Sequence, residues 1–334
     1  MTRASELTDA HCHFHGGLPT DWLGREVRSS GDPAELGPVL AATRQDVHRV
    51  ERSRLGPAIG TAAFFRHYRA VEAHCAWMES SGQGTRDLYL RGTRAILDNA
   101  RRNGVTSTRL FFSLTERRAQ MAGRIRGLAD AIDSREADEI AVRLTVPRSR
   151  ALHVSYSAPE IQDLLEPLTD RGLLLGFDLS GLDSEVAPSD THVMVEWLLT
   201  LREAYGLTGR HMSISVHSGE ALAADSIAES LSLIRQLVRA GVDSIAHATV
   251  LWNPGAFGNH DADDAQATLE ACLEAGVTFE LCPAVSRVYG VDLLSSKLLS
   301  DWFGRGGRVV LGTDAPGLFG YDELHAMRTL RGDG

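Results

Sequence analysis

Ala240-Gly241-Val242-Asp243-Ser244-Ile245-Ala246-His247-Ala248 holds a helix end, a strand and a polar strand terminus within nine residues. The amphipathic stretch Leu222–Ala240 runs into it, and glycine just past a helix takes the left-handed conformation cheaply before the valine opens the next strand. The same punctuation recurs at Asn103-Gly104-Val105 and Ala275-Gly276-Val277. Short apolar, β-branched runs read as strands at Ser107–Ser113, Glu139–Val146, Leu173–Leu179, Met212–His217, Ser244–Ala248, Thr278–Cys282 and Arg308–Gly312. With an opening strand around Glu6–His11 they make eight. Amphipathic stretches such as Ala119–Ile132, Ser189–Tyr205 and Ala265–Ala275 lie between them, each long enough to cross from one parallel strand to the next. Eight βα units predict an α/β chain closed as a (β/α)8 TIM-like barrel rather than an open doubly wound sheet.

One connection is far too long for a simple crossover. Residues from about Gly16 to Arg102 separate the first two strands and contain helical patterns at Ala62–Met78 and Thr85–Arg102. An insertion at the C-terminal mouth of a barrel is placed to cover an active site, so residues 16–102 are expected to form a helical lid within one domain spanning 1–334. Ser29–Gly37, rich in Ser, Gly and Pro, is the expected mobile loop.

Composition narrows the function. A net charge of −10 argues against a nucleic-acid surface, which needs concentrated positive charge. No run approaches 18 apolar residues, and the start, MTRASELTDAH, has no apolar signal core, so a cytoplasmic protein without a membrane partner is expected. Cys12, Cys75, Cys272 and Cys282 show neither CxxC spacing nor a disulfide framework and are expected to be small buried hydrophobes.

Chemistry concentrates at predicted strand ends. In Asp9-Ala10-His11-Cys12-His13-Phe14-His15 the imidazoles alternate, so on a strand His11 and His13 share one face and Cys12 takes the other. Downstream stand Ser215-Val216-His217-Ser218-Gly219-Glu220, Ser244-Ile245-Ala246-His247-Ala248, Phe279-Glu280-Leu281-Cys282-Pro283 and Leu311-Gly312-Thr313-Asp314-Ala315-Pro316. His11, His13, His217 and Asp314 would supply a zinc-type site with imidazole and carboxylate donors and a position left for water. Lys297, the sole lysine, falls in the predicted helix between strands seven and eight.

On His11-x-His13, His217-Ser218-Gly219-Glu220, Ile245-Ala246-His247, Phe279-Glu280-Leu281-Cys282-Pro283 and Thr313-Asp314, the chain resembles the adenosine deaminase family of the amidohydrolase superfamily. Phe177-Asp178-Leu179-Ser180-Gly181 is similar to that family's strand-four stretch, and the long helical insertion is a family trait too. The resemblance implies a hydrolytic deaminase with one zinc, or iron, that acidifies a water. It gives Asp314 the role of ligand and proton acceptor, and His247 that of orienting the water. Glu220, as a protonated acid, would feed a ring nitrogen before ammonia leaves. The backbone N–H of Gly181 would meet a second ring heteroatom.

Three departures bear on the small-molecule substrate. A second Asp usual after the metal-binding one is here Ala315; an Asp that reaches the ribose is here His15; and Thr-Ser-Asn after Cys-Pro is here Ala284-Val285-Ser286. Losing a charge-assisted hydrogen bond to substrate costs about 1.5–3 kcal/mol, so another amino-heterocycle or a modified nucleoside is expected in place of adenosine, with His15 and Ala315 on the substrate side. An amide, lactone or cyclic amidine hydrolase on the same metal site is a second reading. A catalytically silent ligand-binding barrel is a third, against which Glu220 and His247 both speak. About twenty residues follow Asp314, with a helix pattern at Tyr321–Leu330, where relatives carry several more helices. An uncovered barrel flank there would favour a homodimer.

Overall fold

Each of eight strands pairs in parallel with the next in chain order: β1 Leu7–His13, β2 Val105–Ser113, β3 Ile140–Pro147, β4 Leu174–Ser180, β5 Ser213–Ser218, β6 Ser244–His247, β7 Thr278–Leu281 and β8 Arg308–Leu311. The computed structural model describes residues 7–30, 42, 45, 57–80, 84–133, 140–148, 152–181, 183, 187–220, 227–252 and 262–330. Among the described residues, helices of eight or more residues are α1 Thr20–Ser30, α2 Pro57–Ser80, α3 Thr85–Arg102, α4 Arg118–Asp133, α5 Ala158–Thr169, α6 Pro188–Gly206, α7 Ile227–Ala240, α8 Ala262–Ala275, α9 Lys297–Gly304 and α10 Asp322–Leu330. The first three lie between β1 and β2, and from α4 onward one such helix follows each strand. This is the TIM-like barrel that the alternating pattern predicts.

The ring closes between β8 and β1. Cys12 and Asp314 form a parallel bridge, the His13 N–H donates to the Asp314 carbonyl at 2.9 Å, and the Asp314 N–H donates to the His11 carbonyl at 2.7 Å. The buried Asp9 carboxylate accepts from the Thr313 N–H at 3.0 Å and from the Thr313 hydroxyl at 2.5 Å. Closure also needs a bare backbone at Gly312, because a Cβ built there would lie 2.3 Å from the His11 Cβ.

The apolar core runs through the sheet–helix interface, with Phe177, Ile214, Val216, Ile245 and Phe279 all at 0% exposure. All four cysteines are buried and free, as expected of small hydrophobes, and Cys12 sits in that core, opposite the flanking histidines. The β3–β4 crossover, α5, is a helix that the apolar runs did not single out. Its signal is Ser157-x-x-Glu160, where the Glu160 carboxylate accepts from the Ser157 N–H at 2.9 Å and the Ser157 hydroxyl at 2.8 Å. Lys297 is the first residue of α9, between β7 and β8. Of the expected mobile loop, Ser29 and Ser30 end α1, and residues 31–37 lie outside the described residues. Among the described residues no helix is long and apolar enough to cross a membrane.

Candidate metal centre and active site

At the C-terminal end of the barrel, β1 and β5 bring three imidazoles onto one point. The Nε2 atoms of His11, His13 and His217 lie 3.0–3.2 Å from one another, all on buried side chains. Two of the rings are held from behind. His11 Nδ1 is 2.9 Å from Glu280 Oε2, and His217 Nδ1 is 3.1 Å from Asp178 Oδ1. A carboxylate at Nδ1 keeps the proton on that nitrogen, so the Nε2 lone pairs of His11 and His217 face inward. Converging lone pairs repel unless a cation sits among them. Two imidazole nitrogens on one tetrahedral zinc, each about 2.0–2.1 Å away, stand about 3.3 Å apart, close to the spacing observed. The donor set therefore fits a divalent metal.

Asp314 stands slightly apart from this triad. One oxygen is 3.9 Å from His13 Nε2, and the other is 3.8 Å from His247 Nε2. Asp314 and His247 both hold non-glycine left-handed backbones, with φ of 63° and 65°, strain of about 1–3 kcal/mol each that clusters at functional positions. Burial raises the Asp314 carboxyl above its ordinary range, although the His11 and His217 rings oppose this.

His247 differs from the triad histidines in its surroundings. Its Nδ1 is buried without a hydrogen-bond partner, while its Nε2 lies 3.3 Å from Glu220 Oε1. A neutral ring so placed is best served with its proton on Nε2, where it can donate to a carboxylate, a role opposite to that of a ligand. Burial, with the His217 and His11 rings nearby, holds its pKa well below the ordinary histidine value. Burial first, and the Asp183 and Asp314 charges second, push Glu220 well above the ordinary carboxylate range. The Tyr289 hydroxyl donates to Glu220 Oε2 at 3.3 Å.

A cavity of about 350 Å³ opens over these groups, within the range of small-molecule sites. His13, His217, Glu220, His247, Asp314 and Gly181 line it from the barrel, and Phe64, Phe65 and Tyr68 line it from α2. Gly181 follows β4 with φ of 111°, a backbone that favours glycine. The aromatic wall and Tyr289 carry no motif in the sequence, since helical spacing alone cannot tell a pocket face from a core face.

Two of the substrate-side candidates lie elsewhere. β1 ends at His13 and the chain turns into a helical segment at Phe14–Gly17, so the alternation that would carry His15 to the triad stops two residues short of it. His15 is buried with Nδ1 3.8 Å from Glu72, and it lines a second cavity of about 260 Å³ that shares Glu72 and Ser113 with the first. Ala315 is fully buried in an apolar cluster with Phe64, Val285 and Leu318, and its N–H donates to the Thr313 carbonyl at 2.8 Å. Ala284 and Val285 are likewise buried, in the turn of helix Pro283–Val288.

Sequence reasoning missed the anchors behind the histidine triad. Glu280 and Asp178 stood in the quoted motifs without a role. Arg143, deep in the barrel, pairs with Glu280 Oε1, and the Ser244 hydroxyl donates to the same oxygen at 2.5 Å. Burial opposes ionisation of Glu280, but the Arg143 guanidinium and the hydrogen bonds from His11 and Ser244 override it and hold the carboxyl well below its usual range. The signal available was parity: Glu280 is paired with Ala246 in register, and a charged residue inside a buried strand needs a partner there.

A closed parallel barrel with a histidine triad at its C-terminal mouth defines a TIM-barrel protein with a metal-type centre. No family model matches the chain, and no curated protein matches it. Among solved structures, it is similar to the adenine deaminase of Arthrobacter aurescens, with 18% identity and a TM-score of 0.60 over 98% of this chain and 88% of that one. It is also similar to the N6-mAMP deaminase of Arabidopsis, with 15% identity and a TM-score of 0.65 over 98% and 87%. A third likeness is to a zinc-bound cog1816 amidohydrolase of Burkholderia ambifaria, with 16% identity and a TM-score of 0.58 over 95% and 77%. The chain thus has the fold of the adenosine deaminase-like amidohydrolases, at a great distance in sequence.

Proposed function

We propose that the protein is a zinc-dependent hydrolytic deaminase, one ion per chain, releasing ammonia from an amino-substituted heterocycle or a modified nucleoside other than adenosine. The observation that carries this reading is that His13 and His217 of the histidine triad line one cavity with a buried Glu220–His247–Asp314 set. A structural metal needs no such set. The names of the similar structures, adenine deaminase and N6-mAMP deaminase among them, support the reaction class.

Zinc, held by His11, His13 and His217 with Asp314 beside them, would supply an acidified water and stabilise negative charge. The residues do the rest. Asp314, made more basic by burial, takes a proton at a carboxylate oxygen. His247 donates its Nε2–H, steadying charge that develops on the attacked carbon's substituent. Glu220, protonated in its buried position, gives its proton to the adjacent ring nitrogen; the proton taken by Asp314 passes to the amino group, which leaves as ammonia, and the water's second proton restores Glu220 as the carbonyl forms. Phe64, Phe65 and Tyr68 supply flat apolar surface for a ring, so α2 acts as the lid.

The exclusion of adenosine is supported by Ala315. Its methyl is packed in the apolar cluster and its N–H is already engaged, so neither reaches a ring nitrogen. The adjoining polar cavity with His15 favours a substrate bearing a polar appendage.

Metal analysis and an ammonia-release panel test the proposal together. About one equivalent of zinc per chain is expected, with ammonia from at least one aminopurine, pterin, aminopyrimidine or modified nucleoside, and little from adenosine. Less than half an equivalent of zinc or iron, or no ammonia from any compound, would overturn it.

A further inference from the structure

We propose that Arg148 and Asp183 are a positioning pair that fixes the His217–Glu220 turn, and so sets how tightly the triad holds its metal. The inference rests on the metal-centre reading above. Neither residue lines the cavity, so both act through the turn.

Arg148 follows β3 with its side chain buried at 1% exposure. Its Nη1 donates to Asp183 Oδ1 at 2.6 Å, and its Nη2 donates to the His217 carbonyl. Asp183 Oδ2 accepts from the Gly219 N–H at 2.7 Å, the Ser218 hydroxyl at 3.2 Å and the Ser230 hydroxyl of α7 at 2.9 Å. One carboxylate therefore gathers four donors, two of them from the turn itself. The opposite side of the turn is pinned by the segment that follows β6: the Ala248 N–H donates to the Ser218 carbonyl and the Val250 N–H to the Gly219 carbonyl, both at 3.0 Å.

That turn does not hold its shape unaided. Gly219 sits at φ 77°, and a Cβ there would lie 3.0 Å from the Ala248 Cα. Within four residues the turn must present His217 to the triad and Glu220 to the cavity, so a small rotation moves both. Burying a guanidinium is costly unless it is paired and hydrogen-bonded. Here it reaches the backbone of a ligand histidine and partly offsets the Asp183 charge next to Glu220. Metal ligands held by such outer partners lose typically about 10–100-fold in affinity when the partner is removed.

The test compares zinc-loaded wild type with Asp183→Asn, Arg148→Met, Arg148→Lys and the triad control Glu280→Gln. Zinc dissociation constants are read by competition with a chromophoric chelator. The visible spectrum of the cobalt(II)-substituted proteins and their thermal midpoints are read alongside. Expected are about 10–100-fold weaker zinc in Asp183→Asn and Arg148→Met, shifted cobalt bands in the folded protein, and partial recovery in Arg148→Lys. If these variants lower the midpoint while zinc affinity and the cobalt spectrum match wild type, the pair is merely structural and the inference falls. Should Arg148→Met not fold, the other two decide by the same criteria. Weaker zinc in Glu280→Gln alone overturns the pair and spares the metal centre. A wild type that holds no zinc overturns both.

Discussion

Replacing Glu280 by glutamine probes the site at its most constrained point. The carboxylate is acceptor-only on both oxygens: Oε1 receives Arg143 and Ser244, and Oε2 receives His11 Nδ1–H. An amide has one carbonyl oxygen and one NH2, so no orientation satisfies both sides. With the oxygen toward Arg143, the NH2 confronts His11 Nδ1–H, and relief comes only if the imidazole moves its proton to Nε2. That proton then points into the triad and removes a ligand lone pair. With the oxygen toward His11, the NH2 faces a buried guanidinium whose counter-charge is gone.

The first orientation is favoured, because two donors including a charged one outweigh a neutral imidazole N–H. Metal affinity should fall by at least the 10–100-fold typical of a lost outer partner. Stability should fall by about 3–5 kcal/mol, the usual cost of breaking a buried ion pair from one side. Asp178→Asn is the comparison. Asp178 Oδ2 is buried with no partner, so an amide there can keep its oxygen on His217 Nδ1–H and turn its NH2 to the empty side. It should retain metal several-fold better than Glu280→Gln. Zinc retained on dialysis against a graded chelator and urea unfolding measure both effects. Equal zinc retention and equal unfolding midpoints in Glu280→Gln and wild type would refute the reasoning.

Glu220→Gln should leave zinc content intact while lowering kcat by about 10²–10⁴. Because burial raises the Glu220 carboxyl, wild-type activity should decline on the alkaline side as the acid loses its proton, and a wild-type profile flat into alkali would contradict the acid role. His67, on α2, is fully buried, neither ring nitrogen has a partner, and burial lowers its pKa to about 4. Between that value and an unfolded value of about 6.5 the unfolded chain binds more protons, so stability is full above the upper value and is lost as pH falls, by about 3 kcal/mol in all. His67→Phe should flatten this acid limb in urea titrations at pH 4.5 and 7.5, and an unchanged difference between the two would rule it out. Gly312→Ala should separate β8 from β1 and cost about 1–3 kcal/mol or more in chemical denaturation; a neutral result would mean the seam has slack.

The fold was legible because a barrel writes its period into the chain. Glycine after α7 and α8, and the alternation of short β-branched runs with long amphipathic ones, follow from local chemistry that needs no knowledge of the far side of the ring. The crossover α5 escaped because its start is marked by the Ser157–Glu160 box rather than by apolar period. The convergence of His11, His13 and His217 was legible for a related reason: side chains that meet at one mouth of a parallel barrel stand at strand ends. At His15, placed on the substrate side, parity no longer applies, since it holds only while the strand lasts and the helical segment Phe14–Gly17 ends it. Glu280 stood in view as a charge inside a buried strand, but its pairing with Arg143, like that of Asp183 with Arg148, was not legible, because a buried ion pair joins two positions far apart in sequence. Ala315 lies between these cases. The missing carboxylate was visible as a substitution, but only the packed cluster and the N–H engaged by Thr313 show that the backbone does not stand in for it. A ring nitrogen brought to Ala315 would go unpaired, at about 1–3 kcal/mol, so the proposed function calls for a substrate without a hydrogen-bonding atom at that position.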